Sequence, residues 1–316
     1  MISALFKSIG RPYLDVILRS GDLRVRIVER PALWMRDGQL ADLQDQLRSV
    51  AGRVLPHGDL TYGVFAHDGS RLRDTVVTIV TKSDGTPVAF NALAIMTIDA
   101  EPKPVQVLHL GLVMVDPDAQ GQNLSWVLYG LTCFLIFLRR QFRPIWISNV
   151  TQVPAVVGMV DQMFSDVWPA PKAGPRKLSH LMIARAIMRD HRAVFGVGDN
   201  AEFLDKSFVI TDAYTGGSDE LKKTWNNAPK HREGAYNSYC QATLDYQRGD
   251  DVLQVGLMDM GAMRRYLARA VPRSALLSLL VAGTVVGLRR IVLPIVYWAD
   301  TDQDWRDLRR ITRGAP

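Results

Sequence analysis

The sequence predicts an α/β protein built on a mixed central sheet. Three observations carry that reading. TVVTIVT and PVAFNALAIMTI are two β-branched-rich runs joined by KSDGT, a hairpin around a Ser-Asp-Gly turn. VQVLHLGLVMV (105–115), an apolar helix pattern over 123–142 and PIWISNV (144–150) then follow as strand, helix and strand. That order in so short a span implies a right-handed crossover between parallel neighbours. Between the first strand and the helix lies VMVDPDAQGQNLSWVLYG (113–130), a polar loop of the kind that meets ligands beyond the carboxyl ends of parallel strands.

Residues 1–20 have Ile2, Leu5, Phe6 and Ile9 at i, i+3, i+4, i+7 with Lys7, Arg11 and Arg19 nearby, the pattern of an amphipathic helix. LRVRIVE alternates and reads as a strand. Residues 36–53 place Leu40, Leu43 and Leu47 on one helix face. The near-continuous apolar run 105–115 suits a strand buried on both faces. VPAVVGMVDQMF reads as the helix after the 144–150 strand. PAPKAGP (169–175) marks a boundary. Residues 176–235 look less regular. SYCQATLDY and VLQVGLM, separated by QRGDD, read as a second hairpin. The resulting divisions are an N-terminal helix (1–21), a central domain (22–170) and a C-terminal α/β extension (171–316) that completes or covers the substrate side.

With 316 residues, 47% apolar and 22% charged, the chain has ordinary globular composition. Its formal charge is +6, and the ten arginines and four aspartates from Arg264 onward account for all of it. This basic tail (260–316) also holds the apolar runs 274–288 and 291–298, too short to span a bilayer. Such a tail reads either as core helix and strand or as a peripheral contact with anionic headgroups. Nucleic acid is disfavoured, since no stacking aromatics interleave the basic residues. Two cysteines cannot build a disulfide framework, and no secretory signal is visible, so a cytoplasmic setting, including the inner face of the membrane, is expected. Cys133 reads as core. Cys240 has no histidine beside it to activate a nucleophile. No P-loop, H-E-x-x-H or zinc spacing occurs, so no metal is expected, and VFGVGDN lacks the spacing of a dinucleotide site.

The 113–130 joint and its flanks resemble the GNAT superfamily of acyl-CoA-dependent N-acyltransferases over residues 22–170. That family shows V-x-P, then R/Q-G-x-G-x-G/A, then a helix; here the run is Val115-Asp116-Pro117-Asp118-Ala119-Gln120-Gly121-Gln122-Asn123-Leu124-Ser125. A downstream N-x-x-A-x-x-L-Y-x-x-x-G-F pattern corresponds to Gln152–Phe164. The resemblance implies a mixed sheet of GNAT type, with acetyl-CoA or a longer acyl-CoA as co-substrate, or an acyl-carrier protein docked on the basic tail. The acceptor would be a small-molecule or lipid-like amine. Residues Gln120, Gly121, Gln122, Asn123, Leu124 and Ser125 would hold the pyrophosphate, since amides entering a helix converge on an anion. Met114 and Val115 would offer backbone groups to the pantetheine, with an N–H near Val115 as oxyanion donor. Asn149 would hydrogen-bond pantetheine or substrate.

Departures from the family pattern are equally specific. Asn123 and Ser125 stand where glycines are usual, and the usual arginine is absent. The tyrosine that protonates the leaving thiolate falls at Met159, which cannot donate a proton. No glutamate occupies the fourth strand, leaving His109 there, and Tyr236 and Tyr239 later, as catalytic candidates. The alternative reading is a non-catalytic module of the same fold that binds a membrane surface or a protein partner.

Overall fold

The computed structural model describes residues 13–284, apart from 21, 56–59, 67–68, 100–103, 120–123, 125, 272, 274–275, 278 and 282–283. Among the described residues eleven strands form one sheet. β1 (Asp15–Ser20), β2 (Leu23–Glu29), β3 (Thr75–Thr81) and β4 (Pro87–Ile98) run antiparallel in sequence order. β5 (Val105–His109) follows on β4, and β7 (Ile145–Thr151) lies parallel to β5. The far end is β11 (Asp251–Met258), β10 (Val209–Thr211) and β9 (Glu202–Leu204), all antiparallel. β6 (Val113–Val115) pairs β4, and β8 (Ser165–Trp168) pairs β11. The fold is thus α/β with a mixed sheet, as expected. The segment after residue 171 supplies the three strands beyond β7.

Alternation along β4 sends side chains to opposite faces. Ala89 and Leu93 join a core covered by the helical turns of Trp126–Leu131 and by α2 (Thr132–Arg139), whose Phe134, Leu135 and Phe137 are buried. Phe90 faces the other side, where α1 (Asp37–Val54) buries Leu43, Leu47 and Val50. Each such side chain stabilises the fold by roughly 1.5–3 kcal/mol. Met96 and Ile98, on that same second face, meet α4 (Leu178–Asp190) through Ile183 and Ile187. Two apolar clusters therefore share one face, and the space between them is where the site lies.

Several expectations need correction. Residues 15–20 are a strand and not part of a helix: β1 and β2 pair with Ser20 opposite Leu23, leaving only Gly21-Asp22 between them. A two-residue Gly-Asp link is hairpin chemistry, and pairing with β2 buries Val16. Residues 1–12 lie outside the described residues. The second hairpin is also absent. Gly234–Thr243 is a helix, α5, because Tyr236, Cys240 and Leu244 at i, i+4, i+8 form one buried stripe. Residues 178–190, taken as irregular, form α4. Most of the basic tail lies outside the described residues, although Met260–Arg269 is a helix, α6, capped by the Asp259 carboxylate on the Ala262 amide. Among the described residues no helix is long and apolar enough to cross a membrane.

The expected strand 105–115 is interrupted, and the interruption builds the site. Ala94 pairs with His109 and Asn91 with Val113, so three steps on β4 face four on the other strand. One extra residue is inserted, a β-bulge at 110–112. Gly111 sits against β4: a Cβ there would stand 2.3 Å from the Ala92 carbonyl oxygen. Gly111→Ala should therefore force the bulge open. We expect a loss of about 1–3 kcal/mol, read as a lower urea midpoint at unchanged slope.

Candidate functional site

The bulge parts two parallel strands. β5 and β7 stay paired through His109 and Ser148, and the Leu110 amide still donates to the Ser148 carbonyl at 2.7 Å. Beyond that point β6 pairs, among the described residues, with β4 alone. The Ala92 amide donates to the Leu112 carbonyl, and the Asp116 amide to the Val88 carbonyl. Antiparallel alternation then turns the backbone groups of Leu112, Met114 and Asp116 toward β4, and those of Val113 and Val115 into the gap beside β7. This corrects half of one expectation. The N–H and C=O of Met114 face the β4 ladder and its side chain is buried, while Val115 does present its backbone to the gap.

The gap opens on a cavity of about 720 Å³, within the usual range for small-molecule sites. β4 gives its floor (Ala92 to Thr97), the bulge one wall, and the carboxyl end of β7 (Asn149 to Thr151) another. Val194, Phe195, Tyr62 and Tyr214 close it from outside the sheet. The approach loop is braced: Arg53 at the end of α1 donates from Nε to Asp116 Oδ2 at 2.5 Å and from Nη2 to the Pro87 carbonyl. Asp116 Oδ1 in turn accepts from the Asp118 amide at 3.0 Å. That Arg53 hydrogen bond, chiefly, holds the Asp116 carboxyl below its ordinary range.

Of the loop itself, Gln120, Gly121, Gln122, Asn123 and Ser125 lie outside the described residues. Leu124 is buried, and its carbonyl accepts from the Val127 and Leu128 amides at 3.0 and 2.9 Å, so helical turning begins there. The turns over Trp126–Leu131 are π-helical. The Leu128 carbonyl accepts from Thr132 Oγ1 at 3.0 Å and from Asn91 Nδ2, and Thr132 Oγ1 bonds Thr78 Oγ1 at 2.6 Å. These buried polar links fix the start of α2 to β3 and β4. They also place Tyr129 on the cavity, where its hydroxyl donates to the Gly111 carbonyl at 3.3 Å. Burial pushes that hydroxyl's pKa up, so it stays protonated.

The structure sorts the remaining candidates. His109 lines the cavity but is only 2% exposed. It stacks on Phe195 at 5.0 Å, and its Nδ1 lies 3.0 Å from Ser148 Oγ. Burial pushes its pKa down to about 3, so it is a poor acceptor for an ammonium proton. Tyr236 and Tyr239 lie on α5, away from the cavity lining. Tyr236 is 1% exposed and donates to Asp161 Oδ2 at 2.6 Å, a tie between α5 and α3 (Pro154–Met163). Cys240 is buried in the same cluster, and burial pushes its thiol up to about 12. Met159 on α3 packs against the core. Asn149 does reach the cavity, with Nδ2 donating to Gln254 Oε1 at 3.3 Å.

Two residues that sequence reasoning passed over stand out. Asp251, the first residue of β11, is 5% exposed and lines the cavity. Tyr214 donates its hydroxyl proton to Asp251 Oδ1 at 2.9 Å. Burial, with a smaller contribution from Asp250, pushes the Asp251 carboxyl up to about 7 against the opposing effect of that hydrogen bond. The available signal was an acid at the head of an apolar strand, obscured because QRGDD reads as a turn. Among the described residues no cluster of three or more His, Cys, Asp or Glu could hold a metal.

No family model matches the sequence, and no curated protein matches it. Solved structures similar to the chain include a variant of spermidine N-acetyltransferase SpeG from Vibrio cholerae, at 14% identity, TM-score 0.29, covering 45% of this chain and 78% of that one. Another is a variant of the AtaT toxin bound to the C-terminus of the antitoxin AtaR and acetyl-CoA, at 14% identity and TM-score 0.20, covering 23% and 49%. A third is the GCN5-related glucosamine N-acetyltransferase region of a fungal multi-domain β-N-acetylglucosaminidase, at 18% identity and TM-score 0.26, covering 42% and 14%. At such values the chemistry has to come from this chain's own residues.

Proposed function

We propose that the chain transfers an acyl group from a coenzyme A thioester to an amine. The observation that carries this reading is the parting of β5–β6 from β7, with the backbone groups of Val113 and Val115 directed into the gap and a cavity at its inner end. A pantetheine arm is an extended chain bearing two amides. It can lie along such an edge as an added strand does. That places the arm beside Val115 and its thioester at the cavity, near the Val113 N–H, positioned to stabilise the oxyanion as the carbonyl is attacked. The helix that begins at Leu124 follows directly, so the amides of its first turn would receive the phosphates. Tyr129, protonated and on the gap, takes the proton-donor role that Met159 cannot fill. Holding amine and thioester together would supply much of the rate.

Calorimetric titration of the full chain with acetyl-CoA, longer acyl-CoAs and a phosphopantetheine-bearing carrier protein tests the donor. Acetyl-CoA is expected to bind with a dissociation constant of about 1 μM–1 mM, the usual range for enzyme substrates, and to release free thiol in the presence of an amine panel. Binding of none of these thioesters overturns the reading. Turnover from the carrier protein alone moves the donor assignment to it, and a preference for long chains supports a lipid-like acyl group.

A further inference from the structure

We propose that Asp251 receives the proton of the acceptor's ammonium group, that Tyr214 and Gln152 position its carboxylate, and that the acceptor is accordingly a protonated alkylamine. This inference rests on the transferase reading of the cavity. The register of β11 on β7 puts Val252 opposite Thr151, so Asp251 lies one step beyond the carboxyl end of β7. That is the end of a parallel strand at which α/β proteins meet their ligands.

The surroundings of the carboxylate fit a cationic ligand. Asp250 is paired with Arg248 at 2.7 Å, whereas among the described residues no Lys or Arg pairs with Asp251. A buried carboxylate without a cation is costly, and an ammonium entering the cavity would relieve that cost. Besides Tyr214, the other titratable or charged groups of the cavity are Tyr62, His109, Tyr129 and His191, with Arg71 and Asp74 on the 70–75 segment. Tyr62 is raised by burial and His109 lowered by it, so neither competes for a proton near neutrality. The His191 Nε2 lies 3.0 Å from the Thr97 carbonyl.

The hydrogen-bond chain behind Asp251 accommodates both of its protonation states. The Gln152 amide is fixed against the Lys223 backbone, its nitrogen 3.1 Å from the carbonyl and its oxygen 2.6 Å from the amide. In that orientation its oxygen also lies 2.7 Å from the Tyr214 hydroxyl. When Asp251 is ionised, Tyr214 donates to it and the Gln152 oxygen keeps only the Lys223 amide as donor. When Asp251 is protonated, it donates to Tyr214, whose own proton turns to Gln152. The ammonium loses one proton to the carboxylate, and the neutral nitrogen attacks the thioester carbon. The C–N bond forms and the C–S bond breaks. The thiolate takes a proton from Tyr129, which recovers the second proton from nitrogen. Asp251 then releases its proton to solvent.

Free-thiol release by the full chain, at saturating acetyl-CoA, tests this with a panel of alkylamines and with an aniline-type amine that is already neutral at pH 7. Asp251→Asn is expected to lower kcat/KM for the alkylamines by about 10²-fold or more, and for the arylamine by less than about tenfold, leaving the acetyl-CoA dissociation constant unchanged within about twofold. Tyr214→Phe, which removes a hydrogen bond to the ionised carboxylate, should move the rising limb of the alkylamine pH profile upward by roughly one pH unit. The proposal is overturned if Asp251→Asn retains alkylamine turnover within about threefold, loses both amine classes equally, or weakens acetyl-CoA binding. It is overturned too if the wild type turns over no alkylamine, or if Tyr214→Phe leaves the profile in place. A wild-type chain that binds no thioester removes the transferase reading itself, and this inference with it; every other adverse result leaves that reading standing.

Discussion

Val113→Pro is expected to lower the kcat of thioester turnover by about 10²–10³, the effect of removing one oxyanion donor. The melting temperature should stay within a few degrees of the wild type. The two halves of this expectation have one cause. The Val113 N–H points away from β4, so proline removes a donor that the sheet does not use. Steady-state kinetics beside a thermal melt reads both. Turnover unchanged in a folded variant would remove Val113 as the donor. A collapse of the melt would mean that the N–H is committed to the sheet after all.

Asp251→Asn is expected to change how stability depends on pH, whatever the reaction. The wild-type carboxyl titrates at about 7 when folded and near 3.9 when unfolded. Between those values the folded chain binds more protons than the unfolded one, so stability falls as pH rises from about 4 to about 7 and then levels off. Each pH unit is about 1.4 kcal/mol, so the full penalty at pH 8 has a ceiling on the order of 4 kcal/mol. Asparagine has about the same size and no charge to bury, and the variant should lack this slope. Its urea midpoint at pH 8 should exceed the wild-type value, and the difference should vanish toward pH 4. A variant less stable than wild type at pH 8 would show that the ionised carboxylate has a compensating partner.

Much of the fold is legible in the sequence, and the reason differs from element to element. LRVRIVE gives β2 with its limits intact, because alternation against two faces leaves a clear period. The β3–β4 hairpin is equally clear, since Asp84-Gly85 supplies the turn between two β-branched runs. α5 is misread because SYCQATLDY is rich in residues of β propensity, while its helical stripe consists of only Tyr236, Cys240 and Leu244. The site is less legible than the fold. His109 has the right residue type in the right strand, and only burial reveals that its basicity is gone. The cavity draws Tyr62, Tyr214 and Asp251 from segments far apart in the chain, and no local pattern joins them.

The inserted residue at Gly111 makes the width of the crevice a matter of counting. Three positions on one strand face four on the other, and no side-chain identity enters that ratio. Removing any single residue between His109 and Val113 would restore an even match. The strand could then zip onward and leave no slot for a ligand arm. The crevice is therefore written in the length of the chain at this point, so it can persist while the residues flanking it, including the glycines of the neighbouring loop, are exchanged.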